Sequence, residues 1–417
     1  MKKPVFFTIV ILVLLAVAVG IWFALSIWLP RPAVKIGMLT SRTGGLAPYG
    51  PPIANGAKLA VDQINEAGGL LGEPLEIVVR DTGTAPAVGR DAATKLVEID
   101  KVPALVGALS SGVTFAVSSI TIANEVVQIS PASTSPAITD LDDNDFVFRT
   151  VVSDALQGVV LGELAEFLGY KTTSVVYVNN AYGKGLAEVF KKTFEAKGGK
   201  VLVMVPYEEN KPSYRGEVEA AIKGNPDAVE VIAYPVDGNK MLVQSVELGY
   251  KGKILFCDGM KGEAVAAGPA SKYIEGCFGT APGPIKVAAA EQFEADYITA
   301  YGKSTVPYRG ESYDAAALIA LAIQKTGPDF LKMSRAEQGR AIRDNLRVVA
   351  NPPGEEVTYK EFAKAFDLLK AGTDINYQGI AGPCTIDENG DMSEGAIEVW
   401  RIHNGKVETV RMQRVKM

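Results

Sequence analysis

One histidine, His403, is all that 417 residues contain. That scarcity removes the arrangements that depend on imidazole: Ser-His-Asp and Cys-His nucleophile sets, and metal centres built on several histidines. Cysteine is nearly as rare. Cys257, Cys277 and Cys384 are too few for a disulfide scaffold, although an oxidising exterior could pair two of them. None precedes Cys257, which excludes a lipid on an N-terminal cysteine. Long blocks of like charge are missing too, and a net charge of −6 gives no sign of a nucleic-acid partner. Gly68-Gly69 and Gly183-Lys184-Gly185 lack the spacing of phosphate-binding loops. Asp142-Asp143 reads as a solvated pair in a polar loop, and Cys257 has no base near it in sequence. The chain is therefore read as a protein that is not an enzyme and has no cofactor or metal.

What is present begins at the first residues. Lys2 and Lys3 precede an uncharged run from Pro4 to Pro30, which Arg31 closes. A helix crossing a hydrocarbon core needs roughly 20 apolar residues. The two lysines favour a cytoplasmic N-terminus, and Trp22 and Trp28 suit the outer interface. Residues 1–32 are expected to form a transmembrane anchor, or a signal cleaved after Ala16-Val17-Ala18. In both cases Ala33 onward is extracytoplasmic.

Beyond Pro32 strands and helices alternate. Val34–Leu39 reads as a buried strand, and Ile53, Ala57, Ala60, Val61 and Ile64 recur at helical spacing before the stop at Gly68-Gly69. Strand Leu75–Arg80, helix Ala87–Ile99, strand Ala104–Val106, helix Thr114–Asn124 and strand Val126–Ile129 follow. The alternation restarts after Thr150, with strands at Ser174–Val178, Lys200–Val205, Ala228–Ala233 and Lys253–Cys257 separated by helices. Later helical patterns cover Ala288–Tyr301, Ser312–Lys325, Ala336–Arg347 and Lys360–Leu369, and Asn389-Gly390 marks a turn between closing strands. This predicts an α/β protein with two doubly wound parallel-sheet lobes. Such a clamshell takes ligand in the crevice outside the carboxyl ends of its strands.

The loops at those ends carry the candidate site. Gly107–Gly112 opens into a helix, and backbone amides there, with the Ser110 and Ser111 hydroxyls, suit an anion. Ser130–Pro136 is a second hydroxyl-rich loop, with Ala132, Ser133 and Thr134 at its centre. Ordinary N-capping is the alternative for each loop alone. In the second lobe, Asp258-Gly259 ends a strand and can meet an ammonium, or simply make a turn. Tyr182 and Tyr234 follow two other strands, and their rings either face the crevice or fill the core.

These motifs resemble the branched-chain amino-acid-binding proteins of ABC transporters, of type I periplasmic-binding-protein fold. The resemblance runs from about Val34 to the C-terminus. It is carried by Val34–Leu39 with Tyr49-Gly50, Asn55-Gly56-Ala57, Ile64–Gly69, Gly107–Ser111, Ile129–Pro136, Tyr182–Ala187 and Ile386–Asp391. It implies that Ser111 and Thr134 bind an α-carboxylate with backbone groups near Ser110 and Ala132, and that Asp258 receives the α-ammonium. It places Tyr182 and Tyr234 on the second lobe and Tyr49 at the mouth of the first, and it implies lobes of 33–150 plus 282–381 and 151–281 plus 382–417, joined by three strands near Thr150, Ala281 and Gly382. The implied partners are an amino acid and a membrane permease, and the implied state is a monomer. Alternatives are an amide, urea or aromatic-acid ligand, or a sensor ectodomain. The chain departs from the family in having Asp258 where the leucine/isoleucine/valine binders carry Glu, in the first loop at Ser110 and Gly112, and in a longer segment from Ser334 to Gln378. It also has no cysteines for the family's first-lobe disulfide.

Overall fold

The computed structural model describes residues 33–285 and 288–417. The expected membrane helix over 1–32 lies outside them, and among the described residues no helix is long and apolar enough to cross a membrane.

The first lobe is built on five parallel strands: β1 (Val34–Thr40), β2 (Leu75–Asp81), β3 (Ala104–Val106), β4 (Val127–Ser130) and β5 (Val147–Arg149), in the order β2-β1-β3-β4-β5. Parallel neighbours need crossovers, which α1 (Gly50–Glu66), α2 (Pro86–Glu98) and α3 (Ser111–Ala123) supply. β3 and β4 are buried at every position, so they read as short apolar runs rather than alternating ones. Pro51 and Pro52 fit the first turn of α1, whose amides have no intrahelical partner. Gly68 and Gly69, at φ +107° and +77°, end the α1 region as their pairing predicts. β5 was not read from the sequence, because three residues are too few to show a period.

The second lobe contains β6 (Thr172–Val178), β7 (Lys200–Tyr207), β8 (Ala228–Ile232), β9 (Lys253–Phe256) and β10 (Phe278–Gly283), all parallel, with α4 (Asp154–Phe167), α5 (Ala181–Ala196), α6 (Arg215–Ile222), α7 (Pro235–Glu247) and the short α8 (Glu263–Ala266). The chain then returns to the first lobe as α9 (Ala288–Tyr301), α10 (Arg309–Thr326) and α11 (Arg335–Ala350), followed by β11 (Glu355–Val357), α12 (Phe362–Lys370) and β12 (Ile375–Tyr377). Helix α10 packs against both α1 and α11 and is buried without a break from Glu311 to Ile323. The long segment after Ser334 thus forms α11, α12 and a two-stranded parallel sheet, β11 with β12.

The closing strands β13 (Glu394–His403) and β14 (Lys406–Lys416) complete the second sheet, in the order β14-β13-β10-β9-β8-β6-β7. They add an antiparallel edge to the otherwise parallel sheet, because β13 runs antiparallel to β10 and to β14. A two-residue turn, Asn404-Gly405 with both φ positive, reverses the chain between them. The hairpin signal noted at Asn389-Gly390 belongs instead to a tight turn closed by the isolated bridge Ile386–Met392. Among the described residues, three segments pass between the lobes: 150–153, 284–285, and the run from β12 to β13. They meet closely. Thr150 Oγ1 donates to the Glu311 carbonyl at 2.8 Å, and Ile285 N donates to the Ala381 carbonyl at 2.7 Å.

Candidate ligand-binding cleft

The carboxyl ends of β3, β4, β8 and β9 face one another across the lobes and line one small, nearly closed cavity. The first lobe contributes Leu46, Tyr49, Ile53, Leu109, Ser111 and Ala132. Tyr308, at the start of α10, reaches the cavity from the returning segment. From the second lobe come Tyr182, Tyr234, Asp258 and Gly259. Six of the residues singled out in the sequence therefore share one cavity: Tyr49, Ser111, Ala132, Tyr182, Tyr234 and Asp258.

Asp258 is the electrostatic centre. It is 4% exposed and begins a single 3₁₀ turn after β9. Its Oδ1 accepts from Tyr182 Oη at 2.7 Å and Gln157 Nε2 at 3.0 Å, and its Oδ2 accepts from Tyr308 Oη at 2.6 Å. All three donors are neutral. Burial pushes this carboxyl above its ordinary range, while the bonds from Tyr308, Tyr182 and Gln157 pull it back. Gly259 is required beside it: a Cβ there would lie 2.4 Å from the Ala233 carbonyl oxygen and 3.0 Å from Tyr182 Oη. The rings of Tyr182 and Tyr234 stack with centroids 5.7 Å apart and form an apolar wall.

Contacts across the cleft hold the lobes together. Tyr49 Oη donates to the carbonyls of Asp258 and Lys261, at 2.9 and 2.6 Å. Ser110 Oγ lies 3.0 Å from Tyr234 Oη. Ser110 occupies the N-cap position of α3 yet makes no side-chain cap bond, so its hydroxyl serves the cleft and not the helix. Tyr182 lies in the first turn of α5, capped by Asn180, and not in the loop the sequence suggested.

Two expected hydroxyls face elsewhere. Ser133 Oγ bonds Thr114 Oγ1 at 2.8 Å and the carbonyls of Ala108 and Leu109, inside the first lobe. Thr134 Oγ1 donates to Asp154 Oδ2 at 2.8 Å. Neither lines the cavity, and nor does Ser110. Tyr308, Gln157 and Asp154 were not anticipated. Tyr308 follows no strand, and the other two lie in a helix turn whose sequence shows only amphipathic pattern.

A wider, more open crevice lies on the far side of Tyr308. Its lining holds two closed ion pairs, Lys261–Glu398 and Arg309–Glu294. The smaller cavity contains a carboxylate met by neutral donors alone, and it is the better place for a charged ligand. Cys257, Cys277 and Cys384 are all free and buried.

The family model described as periplasmic binding protein matches residues 33–364. A substrate-binding protein of a chemotactic signal transduction system in Halobacterium salinarum is 29% identical over 78% of this chain and 75% of its own length. A leucine-, isoleucine-, valine-, threonine- and alanine-binding protein of Pseudomonas aeruginosa is 30% identical over 70% of this chain and 79% of its own length. The crystal structure of a leucine-binding protein from Thermotoga maritima superposes with a TM-score of 0.76 at 25% identity, covering 91% of this chain and 98% of that one. With two α/β lobes meeting over a small cavity, and a family match across most of its length, the chain belongs to the periplasmic binding proteins.

Proposed function

We propose that this protein is an extracytoplasmic receptor, not an enzyme, that captures an aliphatic amino acid between its lobes and delivers it to an ABC permease as a monomer. The observation that carries the reading is Asp258: a buried carboxylate on the cavity wall, bonded by neutral donors only, opposite the start of helix α3. An α-ammonium supplies the charge it lacks. The carboxylate end of the ligand goes to Ser111 and the amides opening α3, and the side chain goes among Leu46, Ile53 and Leu109. Thr134 and Ser133 act behind this surface by shaping the loop. Tyr49 and Ser110 secure closure over the ligand.

The bodies that move are 33–150 with 282–381 and 151–281 with 382–417, hinged near Thr150, Ala281 and Gly382. The apolar run Pro4–Pro30 holds the receptor at the outer membrane face, or is removed on export.

Calorimetric titration with leucine tests this. A hydrogen bond to a charged group contributes about 1.5–3 kcal/mol, so Asp258→Asn is expected to weaken binding roughly 10- to 150-fold. 4-Methylpentanoate, which lacks the amine, is expected to bind the native protein weakly and to be indifferent to that substitution. Unchanged leucine affinity in the variant removes Asp258 from the site.

A second reading is favoured by the name of the Halobacterium relative, which belongs to a chemotactic system. Here the same capture reports to a signal transducer. Co-purification of the full-length protein with a permease or with a transducer separates the two.

A further inference from the structure

Behind the cleft wall lies more negative charge than one ammonium explains. Asp154, fully buried in the first turn of α4, places Oδ2 against Thr134 Oγ1 and leaves Oδ1 with no hydrogen-bond partner. One turn along, Gln157 holds Asp258 through Nε2, so α4 brings Asp154 up to the back of the ligand's counter-ion. Glu230, on the neighbouring strand β8, is also buried, and neither of its oxygens has a partner. Among the described residues, none of these three carboxyls has an ion pair.

The surrounding cations are committed elsewhere. Arg149, at the end of β5, is engaged by Asp391, Thr139 and the carbonyls of Ser133 and Ser135. Lys261 is engaged by Glu398. Tyr182, Tyr308 and Cys257 face the group as neutral side chains, and the amino end of α4 adds only a partial positive charge.

We infer that in the ligand-free protein the Asp154–Asp258 pair holds one proton, and that capture of the ligand's ammonium expels it. The inference rests on the amino-acid reading above. Two neighbouring carboxylates in a dry interior cannot both ionise without a cation, so they titrate as a unit. Asp258, with three donors, is the better anion, and the proton resides on Asp154. Burial and repulsion from Asp258 drive Asp154 well above the ordinary range, against the pull of Thr134 and Arg149. When the ammonium arrives, the O–H bond of Asp154 breaks, its electron pair stays on oxygen, and the proton leaves to bulk water. Asp154 is thus a positioning residue that sets how the ligand's charge is balanced.

The test is calorimetric titration of the native protein with leucine in pairs of buffers of different ionisation enthalpy, from about pH 5.5 to 8.5. Linkage predicts release approaching one proton within this range, with affinity rising about tenfold per pH unit there. In Asp154→Asn, which keeps the shape and the Thr134 contact, release falls to near zero and affinity becomes flat with pH. Native binding with equal heats in both buffers at every pH overturns the inference, as does undiminished release in the Asn variant. If neither leucine nor other amino acids bind at any pH, the receptor reading falls and this falls with it.

Discussion

Tyr308 delivers its hydroxyl to Asp258 from a left-handed backbone, φ +71°, which an aromatic residue adopts only when its surroundings impose it. The bond crosses between lobes, so it exists only when the cleft is shut. Tyr308→Phe keeps the ring and removes the donor to Oδ2. The closed form should lose about 1.5–3 kcal/mol, read as a roughly 10- to 150-fold weaker leucine affinity in calorimetry with little change in the urea midpoint. A variant that binds as tightly as the native protein would show that this contact does not hold the cleft closed. Asp258 was legible because an acid after a parallel strand has few places to point except the crevice. Ser133 and Thr134 were not, since a hydroxyl-rich loop announces its position but not the direction each side chain turns. Thr134 turns across to Asp154 on α4 of the second lobe, and Ser133 turns to Thr114 within the first lobe, because each finds a hydrogen-bond partner there.

Between elements, the turn 387–391 fastens the last crossover to β5. Asp391 accepts two bonds from the fully buried Arg149, at 2.5 and 2.6 Å, and Arg149 also donates to the carbonyls of Ser133 and Ser135. One guanidinium therefore steadies both the turn and the loop that carries Ala132. Asp391→Asn leaves that cation buried and unneutralised, and an expected loss of about 3–5 kcal/mol should appear as a lower urea midpoint. A midpoint unchanged from the native protein would mean that water or a shifted loop replaces the carboxylate. Two of the chain's three Asn-Gly pairs show the limit of turn signals. Asn404-Gly405 makes the two-residue hairpin between β13 and β14. Gly390 sits instead where a Cβ would be 2.5 Å from the Val147 carbonyl oxygen, so its need is close approach to another strand.

Across the whole molecule, the three crossings converge on Glu311, which is 6% exposed between the wide crevice and the hinge. Burial raises its carboxyl from 4.5 to about 7, with Asp314 repelling it and Lys261 and Arg309 pulling it down. Between those values the folded state binds more protons than the unfolded chain. The contribution of Glu311 to stability is therefore greatest below the unfolded value and is lost as pH rises through about 7. Glu311→Gln should gain on the native protein by at most about 3 kcal/mol between pH 5 and pH 8, measured by urea unfolding. A constant difference across that range would mean that the carboxyl is solvated in the native state.

The order of strands and helices, the two-lobe division and the loops that meet at the cleft follow from the sequence alone, because hydrophobic period and turn chemistry act over a few residues. The resemblance in its motifs pointed to the same family. Tertiary structure decided the antiparallel edge of the second sheet, the arrival of Tyr308 in the cavity, and the burial of Asp154 one helical turn from Gln157, which holds Asp258. Each of these depends on atoms brought together from distant parts of the chain, where burial, and not local preference, sets which hydrogen bonds form and which charges persist.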